Sequence, residues 1–244
     1  MKYTNDEQVV RLWDTEHIRH TMNRMCYYIT NEDFRGCLND LWVRKNKRTA
    51  SLGYNNGFYV GMDEIVRHWV LEQEQTRYER LSQYGGVAVS SENLGLGCAR
   101  MATLTTPLIK LHGDGKTAQY QGYMPGFQSW GNSDGTMETY LTLDMCFADL
   151  IKEEGQWKIW HLILMHDHTM EAGKPYGKIP TFGWEDPVEA SFGTPTVART
   201  LHDPSYGWEL LYDDMPRELD TYCEKYSYGP DGDFGKQYFE RDKR

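Results

Sequence analysis

The sequence predicts an α+β fold: three N-terminal helices followed by a long antiparallel meander. Three observations carry that reading. Apolar residues recur at helical spacing as far as about Leu81. From Gly85 to about residue 172 they follow strand-like runs instead. Short glycine-bearing turns separate those runs, and helices followed by a block of strands give an α+β layering.

The elements follow in chain order. Thr4 and Glu7 form a T-x-x-E capping box, which starts a helix. Inside it Ile18, Met22, Met25 and Ile29 form one apolar stripe at helical period. Thr30-Asn31 interrupts the pattern, and a short second helix buries Phe34, Cys37, Leu38, Leu41 and Trp42. "RKNKRTA" is a charged loop, and "SLGYNNGFYVG" reads as a short hairpin around Asn55-Asn56-Gly57. A third helix runs from about Met62 to Leu81, with Met62, Ile65, Val66, Trp69 and Val70 inward. Two strands then meet at the tight turn His112–Lys116. Two more, "TMETYLTLDMCFADLIK" and "QWKIWHLILMHDH", are joined by "EEG". On the last strand, strict alternation puts Trp157, Ile159, His161, Ile163 and Met165 on one side. Trp160, Leu162, Leu164, His166 and His168 fall on the other. Both sides are apolar, so both are expected to be covered, one by helices and one by a second subunit or by the C-terminal segment.

Residues 1–172 are thus read as one α+β domain and 173–244 as an extended arm. Seven of the nine prolines lie between Pro175 and Pro230, and periodicity disappears. Phe182, Trp184, Phe192, Trp208 and many Tyr argue against a solvated tail, because exposing that much aromatic surface is costly. The arm is expected to pack on its own domain or on a neighbouring subunit, giving a homo-oligomer (dimer or trimer) with arm exchange.

Composition narrows the function. The formal net charge is -10 and the pI about 5.3, which disfavours nucleic acid and anionic membrane surfaces as partners. No apolar run approaches the ~20 residues of a spanning helix. "MKYTNDEQVV" lacks the apolar core of a signal peptide. Cys26, Cys37, Cys98, Cys146 and Cys223 are odd in number and form no C-x-x-C pair, as expected for reduced thiols in a cytoplasmic protein.

The hairpin "F-x-D-L-I-K-E-E-G-x-W-K-I", with Phe147, Asp149, Lys152, Gly155, Trp157, Lys158 and Ile159, resembles the penultimate hairpin of the SnoaL-like, nuclear transport factor 2-like superfamily. "Y-x-x-x-x-D-F" (Tyr28, Asp33, Phe34), "G-M-D-E-I" and "G-D-G-K-T-A" are also similar to it, over roughly residues 6–170. The resemblance implies a cone-shaped, curved antiparallel sheet wrapped around the three helices, with a pocket between helices and sheet. The superfamily hosts dehydratases, isomerases, cyclases, hydrolases, lyases and binding proteins, so the fold does not settle the chemistry.

Polar residues that interrupt apolar strand faces are the candidates for that pocket. Asp144 lies in "YLTLDMCFAD"; it reads as a general base or acid, or as a carboxylate paired with Arg or backbone N–H. Arg100 interrupts "GCARMATLTT", as an oxyanion binder or a sheet-edge ion pair. By resemblance to scytalone dehydratases, Asp144 and Cys146 fall near cavity-lining positions. In those enzymes a His soon follows a Gly-Tyr pair; here Tyr123 is followed by Met124, both expected with Cys146 as substrate contacts, and no His stands near Arg100 to Ala102, so a His dyad is not expected. Tyr28 and Tyr54 are candidate catalytic hydroxyls by the same resemblance, with Tyr27 beside the substrate; the alternative for each, and the commoner role of a single Tyr, is an amphipathic core residue. Asp33 pairs with Tyr28 by resemblance to bile-acid dehydratases, or simply caps the second helix. His161 is a candidate base or a structural His; His68 and Trp69, on the third helix, are candidate substrate contacts. His166, Asp167 and His168 lack a convincing further ligand, so no metal is expected, and no glycine-rich loop calls for a cofactor. The expectation is a cofactor-independent lyase acting on a hydrophobic aromatic or polycyclic hydroxylated molecule. Dehydration and formaldehyde elimination from a lignin-derived diarylpropane are two versions implied by the resemblance. An isomerase, a cyclase and a non-catalytic binding or assembly protein are the alternatives.

Overall fold

The computed structural model describes residues 3–54, 57–83, 97–131, 134, 136–173, 195–198, 215–234 and 236, with backbone alone at 80, 81, 83 and 166–169. Helix α1 (Asn5–Thr30) opens on the capping box: Thr4 N–H donates to Glu7 Oε2 at 2.7 Å, and Glu7 N–H to Thr4 Oγ1 at 3.3 Å. Its stripe Ile18, Met22, Met25 and Ile29 is buried. Each such side chain removed from water contributes about 1.5–3 kcal/mol. Helix α2 (Phe34–Leu41) is capped by Asp33, whose Oδ1 accepts from Gly36 N–H at 2.8 Å. Helix α3 is α-helical over Met62–Val66, π-helical over Arg67–Glu72 and α-helical again over Gln73–Gln83. The wide π turn buries three successive residues, His68, Trp69 and Val70. Such turns recur at functional sites.

Eight strands form one curved, unclosed sheet: β1 (Ser51–Tyr54), β2 (Gly57–Val60), β3 (Cys98–Ala102), β4 (Thr105–Leu111), β5 (Thr117–Gly131), β6 (Met137–Glu153), β7 (Gln156–Glu171) and β8 (Val197–Ala198). The order is β3-β5-β6-β7-β1-β2-β8, with β4 also on β5. The expected first long strand is therefore two pieces, β3 and β4, sharing one edge of β5. Gly126 permits that close approach, because a Cβ there would sit 2.3 Å from the Met101 carbonyl oxygen. The sheet is mixed rather than wholly antiparallel: β1 runs parallel to β7, the whole meander separating them in sequence. The β6–β7 turn, Glu154 (φ 52°) and Gly155 (φ 80°), has the two positive φ values of a type I′ loop.

One expectation about β7 needs correction. A bulge at Trp160, between the pairs Leu150↔Ile159 and Asp149↔His161, breaks the strict alternation. Trp157, Ile159, Leu162 and Leu164 therefore share the inner core with the helices, whereas Ile163 and Met165 belong to an outer cluster. His161 turns outward with that second group, to Ser51 and Tyr222. The outer face is covered from within the chain. Tyr228 and Phe234 insert among Phe58, Met145, Phe147, Ile163 and Met165. A backbone bond from Gly113 N–H to the Leu219 carbonyl (2.7 Å) and a bond from Arg217 N–H to the side-chain Oε1 of Gln119 (3.0 Å) extend this clip. Trp184, Trp208, Phe182 and Phe192 of the expected arm lie outside the described residues. Among the described residues no helix is long and apolar enough to cross a membrane.

Candidate active site

A cavity of about 120 Å³ opens between α3, the end of α1 and the inner face of β3, β5 and β6. Ile29, Phe34, Trp69, Met124, Phe127 and Leu164 make it apolar; Tyr54, Arg100, Asp144, Gln73, Gln128 and Thr142 supply the polar atoms. Asp144 reaches it because β6 alternates, sending Asp144, Cys146 and Ala148 inward and Met145 and Phe147 outward. The side chain is 4% exposed. Its strand partners are Met124 and His166.

Arg100 enters from β3. Its Nη2 donates to Gln128 Oε1 at 3.1 Å, directly across the strand pair, and its Nε lies 3.1 Å from Glu32 Oε1. The guanidinium also stands 5.6 Å from the Phe34 ring centre and 5.8 Å from that of Trp130. Burial lowers its pKa; Tyr54, Cys98 and Asp144 act against that shift, which puts Asp144 and Tyr54 within electrostatic reach. Burial likewise pushes the Tyr54 hydroxyl far up, with Tyr59 and Asp144 raising it further and Arg100 and a hydrogen bond from Trp69 opposing. Tyr54 stands edge-on to His68, ring centres 5.4 Å apart.

Glu32 was not legible as a site residue. It follows α1 with φ 62°, a left-handed backbone position usual for Gly. Its carboxylate pairs with both Arg77 and Arg100. Arg77 is 3% exposed, and its pKa is lowered to about 10, by burial first and by Arg100 second. Two guanidiniums and two carboxylates, Arg77, Arg100, Glu32 and Asp144, thus have cancelling formal charges around the cavity. Gln73, Gln128 and Thr142 were also missed, since polar residues on half-exposed strands and helices carry no sequence signal of their own.

The cavity gathers Asp144, Tyr54, Arg100, Trp69 and Met124 from the expected set. The others lie elsewhere. Tyr27 points away from the core, 72% exposed. Tyr28 packs at the core edge and donates its hydroxyl to Asp40 Oδ2 at 2.8 Å, not to Asp33. Tyr123 belongs to the outer cluster because it is odd-numbered beside inward Met124. Cys146 is fully buried in the inner core, where burial raises its thiol pKa well above the ordinary value. His68 lies one layer behind the cavity, stacked on Tyr59 at 3.8 Å with its Nδ1 2.8 Å from Glu72 Oε2. His161 is across the sheet, its Nδ1 2.9 Å from Ser51 Oγ, and burial pushes its pKa down to about 3. The side chains of His166, Asp167 and His168 lie outside the described residues. Among the described residues no three His, Cys, Asp or Glu are grouped as metal ligands.

No protein-family model and no curated protein matches the sequence. Solved structures match its shape. A Novosphingobium aromaticivorans protein bearing the name scytalone dehydratase is 13% identical, covers 70% of this chain and 99% of its own, and gives a TM-score of 0.48. An ntf2-like protein with a cystatin-like fold from the same species is 14% identical over 66% of this chain and 86% of its own, TM-score 0.44. Aln2 from a Streptomyces species is 12% identical over 68% and 94%, TM-score 0.43. These are likenesses of fold alone, and they say nothing about activity.

Proposed function

We propose that the inner cavity is the active site of a cofactor-independent lyase for a small, neutral, hydroxylated aromatic molecule. The observation that carries this reading is one apolar cavity holding a carboxylate, a guanidinium and a phenol: Asp144, Arg100 and Tyr54. The cancelling formal charges favour a neutral ligand, because an added anion would leave a net buried charge. Dry cavities of similar volume hold a single benzene ring, so one ring would be enclosed and the rest of the substrate would extend to the mouth.

In this reading Asp144 takes a proton from the substrate as general base. In a dehydration the proton comes from carbon, the C–H electrons form the new double bond, and the adjacent hydroxyl leaves as water. In a formaldehyde elimination it comes from a hydroxymethyl O–H. The C–C bond then breaks, and its electrons form the double bond as a neighbouring hydroxyl departs as water. Asp144 returns that proton to the departing hydroxyl, which leaves as water, while Tyr54 hydrogen-bonds to the same oxygen and Arg100 stabilises the developing charge from a fixed position. Glu32 and Gln128 hold the Arg100 head group, so its field needs little reorganisation during reaction.

The test is to incubate the protein with a panel of aryl alcohols and arylpropane diols in deuterated water. Proton NMR would follow alkene formation, formaldehyde release and deuterium uptake. Turnover of at least one member, lost on Asp144→Asn, is expected. Binding to the cavity without turnover or exchange across the panel would make the protein a binder, and the lyase reading would fall.

A further inference from the structure

On the opposite side of the sheet lies a second cavity, of about 290 Å³, which shares no lining residue with the inner one. Its floor is β7, at Trp160 and His161; its roof is the C-terminal clip, at Tyr222, Ser227, Gly229 and Pro230. Val60 and Thr49 close one end, and Arg48, Glu224 and Asp231 also line it. The Trp160 and Tyr222 rings, centres 4.6 Å apart, and the His161 ring stacked 4.5 Å from Trp160 make one aromatic wall.

His161 is 4% exposed and lines this cavity. Its Nδ1 is 2.9 Å from Ser51 Oγ; among the described residues Nε2 has no hydrogen-bond partner. Ser51 is fully buried, and Nδ1 is the partner of its hydroxyl. If Nδ1 carried the ring proton, the Ser51 hydroxyl hydrogen would be left buried with no acceptor. The satisfied arrangement has Ser51 O–H donating to Nδ1, which puts the ring proton on Nε2. That leaves an N–H without a protein acceptor, on a side chain that is 4% exposed and lines the aromatic-walled cavity. Two other polar groups near it are already committed. The Trp160 indole N–H donates to Thr49 Oγ1 at 2.9 Å. The Ser227 hydroxyl donates to Asp149 Oδ2 at 2.6 Å and accepts from Gly229 N–H at 2.8 Å.

We propose that this outer cavity is a second ligand site, for a small neutral planar molecule whose carbonyl oxygen accepts from His161 Nε2–H while its ring lies against Trp160 and Tyr222. A carbonyl supplies the acceptor that the floor lacks, and a planar ring suits the wall. Glu224 and Asp231 outnumber Arg48 among the lining charges, so a carboxylate ligand is disfavoured.

The probe is acetophenone, with ethylbenzene as a control of similar shape that lacks the oxygen. Both are titrated into full-length protein carrying 15N-labelled histidine. The expected results are a proton on Nε2 of His161 and a saturable shift of that resonance with acetophenone but not with ethylbenzene. The double variant Ser51→Ala/His161→Phe keeps a ring beside Trp160 and removes both polar partners. It should bind the site about tenfold more weakly, as loss of one hydrogen bond gives. Asp144→Asn should leave the His161 shift intact, which separates this site from the inner cavity. A His161 resonance unmoved up to the solubility limit of acetophenone overturns the proposal, as does an equal response to ethylbenzene. Should the double variant fail to fold, the titration of the unaltered protein decides.

Discussion

Asp144 and Asp149 lie five residues apart on β6, both buried, yet on opposite faces of the sheet. Asp149 is surrounded by donors: Ser227 Oγ at 2.6 Å, Tyr228 N–H at 2.8 Å and Gln119 Nε2 at 3.2 Å. No room is left for a ligand, and its work is to hold the clip to the sheet. Asp144 instead faces a hollow that it shares with Arg100 and Tyr54. A buried carboxylate is therefore not a catalytic sign in itself; what separates these two is that Asp144 lines a cavity and Asp149 does not.

The largest expected effect tests the inner half of this contrast. Asp144→Asn should lower turnover by about 10²–10⁴-fold, the usual worth of a general base, while the melting temperature moves by no more than about 3 °C. A large fall in melting temperature would make Asp144 a second Asp149. The converse holds outside. Asp149→Ala strands three donors under the clip and should cost on the order of 3 kcal/mol in urea unfolding at pH 5, with the inner cavity still active. Hydrogen exchange over residues 215–234 should rise with it.

The pH dependence sharpens the same pair. Burial raises the Asp149 pKa from 3.8 to about 6, against its three donors. A carboxyl whose folded pKa is raised contributes stability that is full below the unfolded value and lost as pH climbs through the folded one. His161, pushed down to about 3, acts with the opposite sign: its contribution is full above 6.5 and lost as pH falls toward 3. The isostere Asp149→Asn cannot titrate. Its stability relative to the unaltered chain should therefore rise by about 2 kcal/mol between pH 4 and pH 7, read from paired urea curves. A constant difference across that range would remove Asp149 as a titrating group.

These residues also show what the sequence could carry. The helix stripe, the capping box, the Glu154-Gly155 turn and the meander were all legible because each depends on local spacing. The hairpin motif was legible too, but its residues hold the architecture together. Lys152 Nζ and the Trp157 indole N–H both donate to Asp14 Oδ1, at 2.6 and 2.9 Å, and Lys158 Nζ donates to the Asp40 carbonyl. Asp149 of the same motif anchors the clip. The site was legible only where a polar residue broke an apolar strand, as Asp144 and Arg100 do. Glu32 was hidden because its role comes from a backbone angle and two distant arginines. His161 was misplaced because a single-residue bulge reverses the faces beyond it, and no spacing rule announces a bulge.

The tyrosines give the finest test of the contrast between a hollow and a filled surrounding. Tyr54 borders the cavity near Arg100 and Asp144, so Tyr54→Phe should lower turnover by about 10–100-fold, the effect of losing one oxyanion donor in part. Tyr28 spends its hydroxyl on Asp40 Oδ2, which also pairs with Arg24. Tyr28→Phe leaves that carboxylate with a partner, so the stability change should stay below about 1 kcal/mol and turnover should not move. If Tyr28→Phe proved the more damaging to turnover, the reacting oxygen would have to lie near the Tyr28–Asp40 pair at the core edge. The inner cavity would then lose its claim to the chemistry, whatever Asp144 contributes to folding.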